Sequence, residues 1–180
     1  LLHASAETGG GISITGGTAS IHNALWSRLT ASSGGGLSAT GGQVSIRHSV
    51  IANTEAVAGA AIAAAGGEVS ISASMIVSSA GAEAIANTNP APMSLTDVLL
   101  WDNAEGAWIG AVDAAGLIVD APLFTDTMGG DWTLRSGSPG LDAAAGLDHD
   151  GTAADVGIFG GSRAVELPDD DGDGYVYGRD

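Results

Sequence analysis

A stretch of 25 residues recurs along the first half of the chain. The stretch GGGISITGGTASIHNALWSRLTASS begins at Gly9, and related stretches begin at Gly34 and Gly59. The columns of equivalent residues are Ile12, Leu37 and Ile62; Gly16, Gly41 and Gly66; Ile21, Ile46 and Ile71; and Leu25, Val50 and Met75. Self-similarity at a fixed period is typical of a solenoid, in which each repeat is one coil stacked on the next.

Within each copy, apolar residues alternate over short runs. Ile12 and Ile14 form one such run, and Val44 and Ile46 form another. Alternation with a period of two predicts β-strands, and the Gly pairs between the runs predict turns and would break a helix. Short strands stacked copy on copy predict an all-β fold, a parallel β-helix. A β-sandwich with Gly-rich turns is the alternative, but its strands do not repeat in sequence at a fixed period.

Two weaker copies follow the three clear ones. Glu83 begins a fourth copy, with Ile85, Leu95 and Leu99 in the apolar columns, and a fifth begins near Trp108. We therefore predict about five coils across residues 1–120. Because the sequence begins at Leu1 rather than at an initiator Met, we also expect further coils N-terminal to it in the full-length chain.

The composition fits a thin aliphatic core and excludes several function classes. The 180 residues include only four Trp, two Tyr and two Phe, and Cys is absent. Lys plus Arg total 5 against 21 Asp plus Glu, which gives a net charge of −16 at pH 7. A chain this acidic repels phosphates, so nucleic acid and anionic membrane surfaces are excluded as partners. No apolar run approaches the ~20 residues that a membrane-spanning helix needs.

From Ala121 the repeat gives way to a segment with its own short motifs. They are Leu123-Phe124, Gly129-Gly130-Asp131-Trp132, Ser138-Pro139, Asp142, Asp150-Gly151, Asp155-Val156-Gly157 and Gly160-Gly161. This segment resembles the closing segment of bacterial secreted and surface proteins that have a right-handed parallel β-helix, the fold of the pectate-lyase-like superfamily. Gly140 and Phe159 depart from the pattern, which usually has Ala and Tyr there. The resemblance implies a right-handed β-helix in a secreted or cell-surface protein and implies no enzymatic activity.

Residues 121–165 are predicted to cap the last coil of the β-helix. An open end exposes unpaired backbone groups and a slice of the core, so it needs a cover. The apolar side chains expected to supply that cover are Phe124, Trp132, Leu134, Leu141 and Phe159.

Residues 166–180 form an acidic tail with the spacing of a calcium loop. Asp169, Asp171 and Asp173 fall at positions 1, 3 and 5, the Tyr175 carbonyl at 7 and Asp180 at 12. Alternate carboxylates around a Gly turn suit one hard cation, so calcium is the predicted cofactor. The tail also resembles a metal-binding repeat, D-x-D-G-D-G-Y, that follows β-helices in some bacterial surface proteins. Asp180 replaces the usual bidentate Glu, and a disordered acidic linker is the alternative.

The sequence shows no clear grouping of acidic, basic or His residues typical of an active site, and we predict no catalytic residue. A glycosidase needs two carboxylates facing one groove. Asp97, Asp102 and Asp113 lie in the fourth and fifth coils and are expected to form a solvated rim. Arg47 shares its column with His22 and Ser72, so no acidic cluster stacks against it as a lyase would require. His22 and His48 are 26 residues apart, so they are expected on opposite faces and form no metal site.

These features favour a non-enzymatic scaffold of a bacterial surface or secreted protein. Its role is expected to be structural, adhesive or carbohydrate-contacting, with a polysaccharide or a cell-surface glycan as the partner. The alternative is a fragment of a polysaccharide lyase or glycoside hydrolase with a β-helix fold, whose catalytic coils lie elsewhere in the chain.

Calcium titrated into a chain extended past Asp180, which would finish the loop, should give a calorimetric signal with a dissociation constant on the order of 0.1–1 mM, as is usual for extracellular modules. Asn at both Asp169 and Asp173 should abolish the signal, because two ligand charges are lost. Asn at both Asp113 and Asp120 removes the same charge outside the tail and should leave binding intact. An unchanged signal in the first variant would identify the tail as an acidic linker.

Overall fold

The fold is described by a computed structural model that covers residues 2–164. Those residues form strands and turns without any helix, so none of them makes a helix that could cross a membrane. The predicted parallel β-solenoid with a period near 25 residues is confirmed, with about four turns rather than about five.

The coils build two parallel sheets, and the C-terminal segment adds two antiparallel hairpins. The first sheet contains β1 (Leu2–Thr8), β3 (Leu25–Ser33), β5 (Val50–Ala52), β6 (Glu55–Ala58), β9 (Met75–Val77) and β12 (Leu99–Trp101). The second contains β2 (Ile12–His22), β4 (Leu37–Arg47), β7 (Ile62–Ala64), β8 (Glu68–Ser72), β10 (Ile85–Asn87), β11 (Met93–Thr96), β13 (Trp108–Gly110) and β14 (Val112–Ala115). The hairpins pair β15 (Phe124–Asp126) with β16 (Asp131–Leu134), and β17 (Ala144–Leu147) with β18 (Ala153–Ala154).

Successive coils pair in the register that the sequence repeat predicts. Ile21 lies beside Ile46, and Ile46 lies beside Ile71. Leu95 of the fourth copy pairs with Ile71, as its place in the apolar column predicts. Because parallel strands lie about 4.8 Å apart, equivalent side chains stack on one another along the solenoid.

The inward side chains of the coils form one aliphatic core. Ile46, Ile71 and Leu95 are each at most 1% exposed. Trp26 is the aromatic side chain of this buried cluster, and aliphatic residues make up the remainder. Apolar columns repeated in register therefore account for a core built with few aromatic residues.

Two columns of left-handed residues turn the chain on either side of the short strands of the first sheet. Their φ angles lie between 45° and 58°, and the residues are Asn23, His48, Ala73 and Asp97 before the strands and Arg28, Asn53, Ser78 and Asp102 after them. Asn and Asp adopt this conformation more readily than other side chains. Gly34 turns another corner with φ at 63°, where a Cβ would lie 2.0 Å from the Leu37 carbonyl oxygen.

Strands β5, β9 and β12 are apolar on both faces. The inward residues are Ile51, Ile76 and Leu100, and the outward residues are Val50, Met75 and Leu99. The outward residues are each at most 1% exposed, so a second layer covers them.

Residues 121–164 form that covering layer. The Gly157 amide donates to the Ala73 carbonyl at 2.9 Å, and the Asn23 side-chain amide donates to the carbonyls of Ile158 and Gly160 at 2.9 Å. These contacts reach the first and third coils from the side. The segment therefore packs along the side of the solenoid, on the outward apolar row. That it also caps the open end stays a prediction.

Replacement of Ile46 by Asp should lower the free energy of unfolding by roughly 3–5 kcal/mol, because an unpaired charge would lie in the core between Ile21 and Ile71. Thr18→Asp adds the same charge to an exposed position of β2 and should change stability by less than about 0.5 kcal/mol. Chemical unfolding measures both values. Equal losses at the two positions would contradict the inward orientation of Ile46.

Candidate functional site

The outward face of β2, β4, β8 and β11 carries polar side chains in register; we call it the serine face. Its central column is Ser20, Ser45, Ser70 and Ser94, each paired with the next across the sheet. Thr18, Gln43 and Glu68 form the column on one side, and His22, Arg47 and Ser72 form the column on the other. The alternation that buries Ile46 and its equivalents turns these residues outward.

A groove of about 640 Å³ runs over the serine face. All three columns contribute to its lining, and Ala91 and Pro92 complete one wall. These two residues belong to the turn that replaces the Gly pair of earlier coils, so the weaker fourth copy shapes the groove. The groove is open, and polar side chains stand in it among a lining whose exposed area is mostly apolar. It suits an extended ligand that presents both hydroxyl groups and apolar ring faces.

Neighbouring side chains hydrogen-bond along and across the columns. The Gln43 amide donates to the Glu68 carboxylate at 3.1 Å, and the Arg47 Nε donates to the Ser45 hydroxyl at 3.4 Å. The Ser20 hydroxyl lies 2.9 Å from the His22 Nε2. The Arg47 and His22 contacts join the serine column to the column beside it, and the Gln43 bond joins two members of the column on the other side.

Cationic groups surround His22 at one end of the groove. Partial burial, followed by the charges of Arg163, Arg47 and His48, holds the pKa of His22 below its ordinary value. The rings of His22 and His48 meet different surfaces: His22 lines the groove, whereas His48 packs against Gly160 and Gly161 of the covering layer.

A second cavity, of about 420 Å³, lies between the coils and the covering layer. Its lining includes Val50 and Met75 from the coils. The five side chains predicted to form a hydrophobic cover also line it: Phe124, Trp132, Leu134, Leu141 and Phe159. The Phe124 and Trp132 rings meet edge to face with their centroids 5.0 Å apart. These five side chains therefore line one cavity beside the coils.

Three carboxylates stand at the rim of this cavity, and the fold uses each as a hydrogen-bond acceptor. Asp148 accepts from the amides of Asp155 and Gly161, and Asp155 accepts from the amide of Asp142. Burial and the nearby charges of Asp148, Asp142 and Asp150 raise the pKa of Asp155. Hydrogen bonds from the Thr152 amide and hydroxyl hold the pKa of Asp150 below its ordinary value.

The Asp155 carbonyl and the His48 imidazole together explain the Gly160-Gly161 pair. A Cβ on Gly160 would lie 1.8 Å from the Asp155 carbonyl oxygen and 2.7 Å from the His48 Nδ1, and one on Gly161 would lie 2.6 Å from the His48 Nε2. The His48 Nδ1 lies 3.3 Å from the Asp155 carbonyl oxygen. His48 therefore holds the covering layer against the corner of the coils.

The carboxylates considered as a catalytic rim lie in different columns. Asp97 occupies the first left-handed column and accepts from the Ala145 amide at 3.1 Å. Asp102 occupies the second left-handed column and accepts from the Ser78 hydroxyl at 3.2 Å. Asp113 pairs with Ser94 at the end of the serine column. Two of the three thus have structural partners in the corners, and they share no groove.

The proposed calcium ligands lie outside the described residues. They are Asp169, Asp171, Asp173, Tyr175 and Asp180. Within residues 2–164, no group of three or more His, Asp and Glu side chains is arranged to hold a metal ion.

Comparison with known proteins gives no match to a family model, to a curated protein or to a solved structure. The functional argument therefore depends on this chain's own geometry.

Two features of the sequence indicate the serine face and the outward apolar row, and the predictions above do not include them. Ser20, Ser45 and Ser70 stand at the same 25-residue spacing as the apolar columns, and that spacing predicts a hydroxyl column. The outward apolar row was visible as two adjacent apolar residues in each short strand, such as Val50-Ile51. Such pairs predict strands that are covered on both faces.

Replacement of Asp155 by Asn should raise the free energy of unfolding at pH 7, because the ionised carboxylate is disfavoured in the fold while an amide oxygen can still accept from Asp142. The folded pKa of Asp155 lies above the unfolded value of about 3.9, so the difference should shrink as the pH falls through the folded value and vanish below about 3.9.

Asp150→Asn supplies a control of opposite sign. The pKa of Asp150 is lowered in the fold, so this variant should lose stability at neutral pH and approach the parent at low pH. Chemical unfolding over a pH series measures both effects. The same sign for the two variants at pH 7 would refute the assignment.

Proposed function

We propose that the protein is a non-enzymatic scaffold that contacts carbohydrate through its serine face. The single observation that carries the proposal is the column Ser20, Ser45, Ser70 and Ser94, which repeats one hydroxyl per coil along the groove. A polysaccharide presents hydroxyl groups in a similarly regular series. Each Ser hydroxyl can both donate and accept, so it suits either orientation of a sugar hydroxyl.

The neighbouring columns support the same function. Gln43 offers amide donors and an acceptor, Glu68 offers acceptors and Arg47 offers donors, all within one groove. The backbone behind them is paired on both edges of β4, so the polar groups stand on a rigid sheet. Ligand binding by a fixed array costs little ordering entropy.

A polysaccharide lyase or glycoside hydrolase remains the alternative proposal. A hydrolase of the usual kind needs two carboxylates within one groove. Among the described residues that line the groove, Glu68 supplies the one carboxylate, and its Oε2 accepts from Gln43. This arrangement favours binding over bond cleavage.

The proposed cellular location and the proposed calcium cofactor do not depend on the serine face. A bacterial cell-surface or secreted location and an adhesive role rest on the resemblance of residues 121–161 to the closing segments of such proteins. Calcium binding rests on the spacing of residues 169–180. Further coils before residue 2 stay a prediction.

A glycan array and a hydrolysis screen test the proposal. The protein should bind at least one polysaccharide without releasing sugar. Ala at Ser45, Ser70 and Ser94 should weaken that binding by about tenfold or more, because each lost hydrogen bond costs about 0.5–1.5 kcal/mol.

The matched control places Ala at Ser13, Ser32 and Ser136, which are exposed on other surfaces. Its affinity should stay within about twofold of the parent, since ΔΔG values for surface serines are small. Equal losses in the two triple variants, or no binding to any glycan, would refute the serine face as the site. Release of reducing ends or unsaturated sugars would favour the enzyme.

A further inference from the structure

Four residues that carry or can acquire positive charge lie near one corner of an otherwise acidic protein. His22 and Arg47 are register partners, His48 follows Arg47, and Arg163 comes two residues after Gly161, which packs on His48. We call these four residues the basic corner. The chain has only 5 Lys plus Arg residues and a net charge of −16. Two of its five Arg residues therefore belong to this corner, and the Asp148 carboxylate reaches the same corner through the Gly161 amide.

Two separate parts of the fold build the basic corner. His22 and Arg47 are register partners on β2 and β4, and His48 follows Arg47 at the left-handed turn. Arg163 comes from the covering layer, which the bonds from Asn23 and the packing of Gly161 on His48 hold against the coils. The corner thus exists only when the layer is docked.

The groups that act on His22 are cations. Besides burial, the pKa of His22 is lowered by Arg163 and Arg47, and then by His48. Within residues 2–164, no carboxylate charge acts on the pKa of His22. Repulsion between like charges is relieved when an anion binds among them.

Arg47 has hydrogen-bonding capacity in reserve. A guanidinium carries five N–H donors, and within the described residues Arg47 uses only its Nε, toward Ser45 at 3.4 Å. The remaining donors match the planar or tetrahedral oxygens of an oxyanion, which guanidinium groups bind in a bidentate manner. His22 and Arg47 also line the same groove as the serine column.

We propose that the basic corner binds an oxyanion substituent, a sulfate or a carboxylate, carried by a glycan that lies along the serine face. This inference rests on the proposed function and narrows it to anionic glycans. Sulfate and carboxylate share the chemistry that Arg47 and Arg163 recognise, and the experiment separates them.

Three polymers of one backbone and matched length provide the test: dextran, dextran sulfate and carboxymethyl dextran. At pH 6 and physiological salt, at least one of the anionic polymers should bind about tenfold tighter than dextran. The double variant Arg47→Gln and Arg163→Gln should lower that affinity to the level of dextran. The control Arg28→Gln and Arg135→Gln removes the same charge elsewhere and should keep the affinity within about twofold of the parent.

A second measurement does not depend on the polymer. Inorganic sulfate should raise the pKa of His22, followed by NMR of its imidazole, because a bound anion favours the charged ring. The rise should be absent in the Arg47 and Arg163 double variant and present in the control double variant.

Two results would overturn the inference. One is equal weakening by the two double variants, which would mean nonspecific attraction. The other is equal affinity for all three polymers, including no binding to any. The glycan array then tests the wider proposal that the serine face binds carbohydrate. Binding of neutral glycans to the serine face would support that proposal even if the basic corner binds no anion. An array without any binding would refute both proposals.

Discussion

Backbone pairing between successive coils, at a step near 25 residues, is the interaction on which the rest of the structure depends. A single coil of short strands encloses too little apolar surface to fold alone, so each coil buries its side chains against the next. Ile46 is buried because Ile21 and Ile71 lie on either side of it. The same register also aligns equivalent outward side chains of successive coils, and it places the hydroxyls of the serine face in one column. A slip of one residue would exchange the two faces and destroy core and groove together.

The covering layer, residues 121–164, bears on function because it contributes to the basic corner. It packs on the outward apolar row, and it accepts hydrogen bonds from Asn23 and donates one to Ala73. Because the layer also carries Arg163, its docking completes the basic corner at the end of the serine face. Buried side-chain polar atoms in the described residues all have hydrogen-bond partners, so this docking leaves none of them unpaired.

The periodic parts of the fold could be predicted from the sequence, and the non-periodic parts could not. The columns of Ile21 and Ile12 follow directly from the 25-residue repeat, because a parallel register preserves sequence spacing. The left-handed corners could not be predicted because Asn23, His48 and Ala73 share a conformation without sharing a residue type. The position of residues 121–164 could not be predicted because it depends on which apolar surface the folded coils leave exposed. The repeated Ser is visible in the sequence, but it does not by itself predict an exposed column, because Ser is equally suited to a tight corner.

An acidic protein can bind an anionic group when its few cations are concentrated, because salt limits the range of the opposing charges. At physiological ionic strength the Debye length is about 8 Å, so carboxylates beyond that distance repel a bound oxyanion only weakly. Arg47 and His22 stand side by side on paired strands and act within contact distance. One such corner gives no expectation of nucleic-acid binding, because that affinity comes from many phosphates neutralised in series. For the proposed glycan, the uncharged serine column would contact the rest of its length, and one anionic substituent at the corner would set its position.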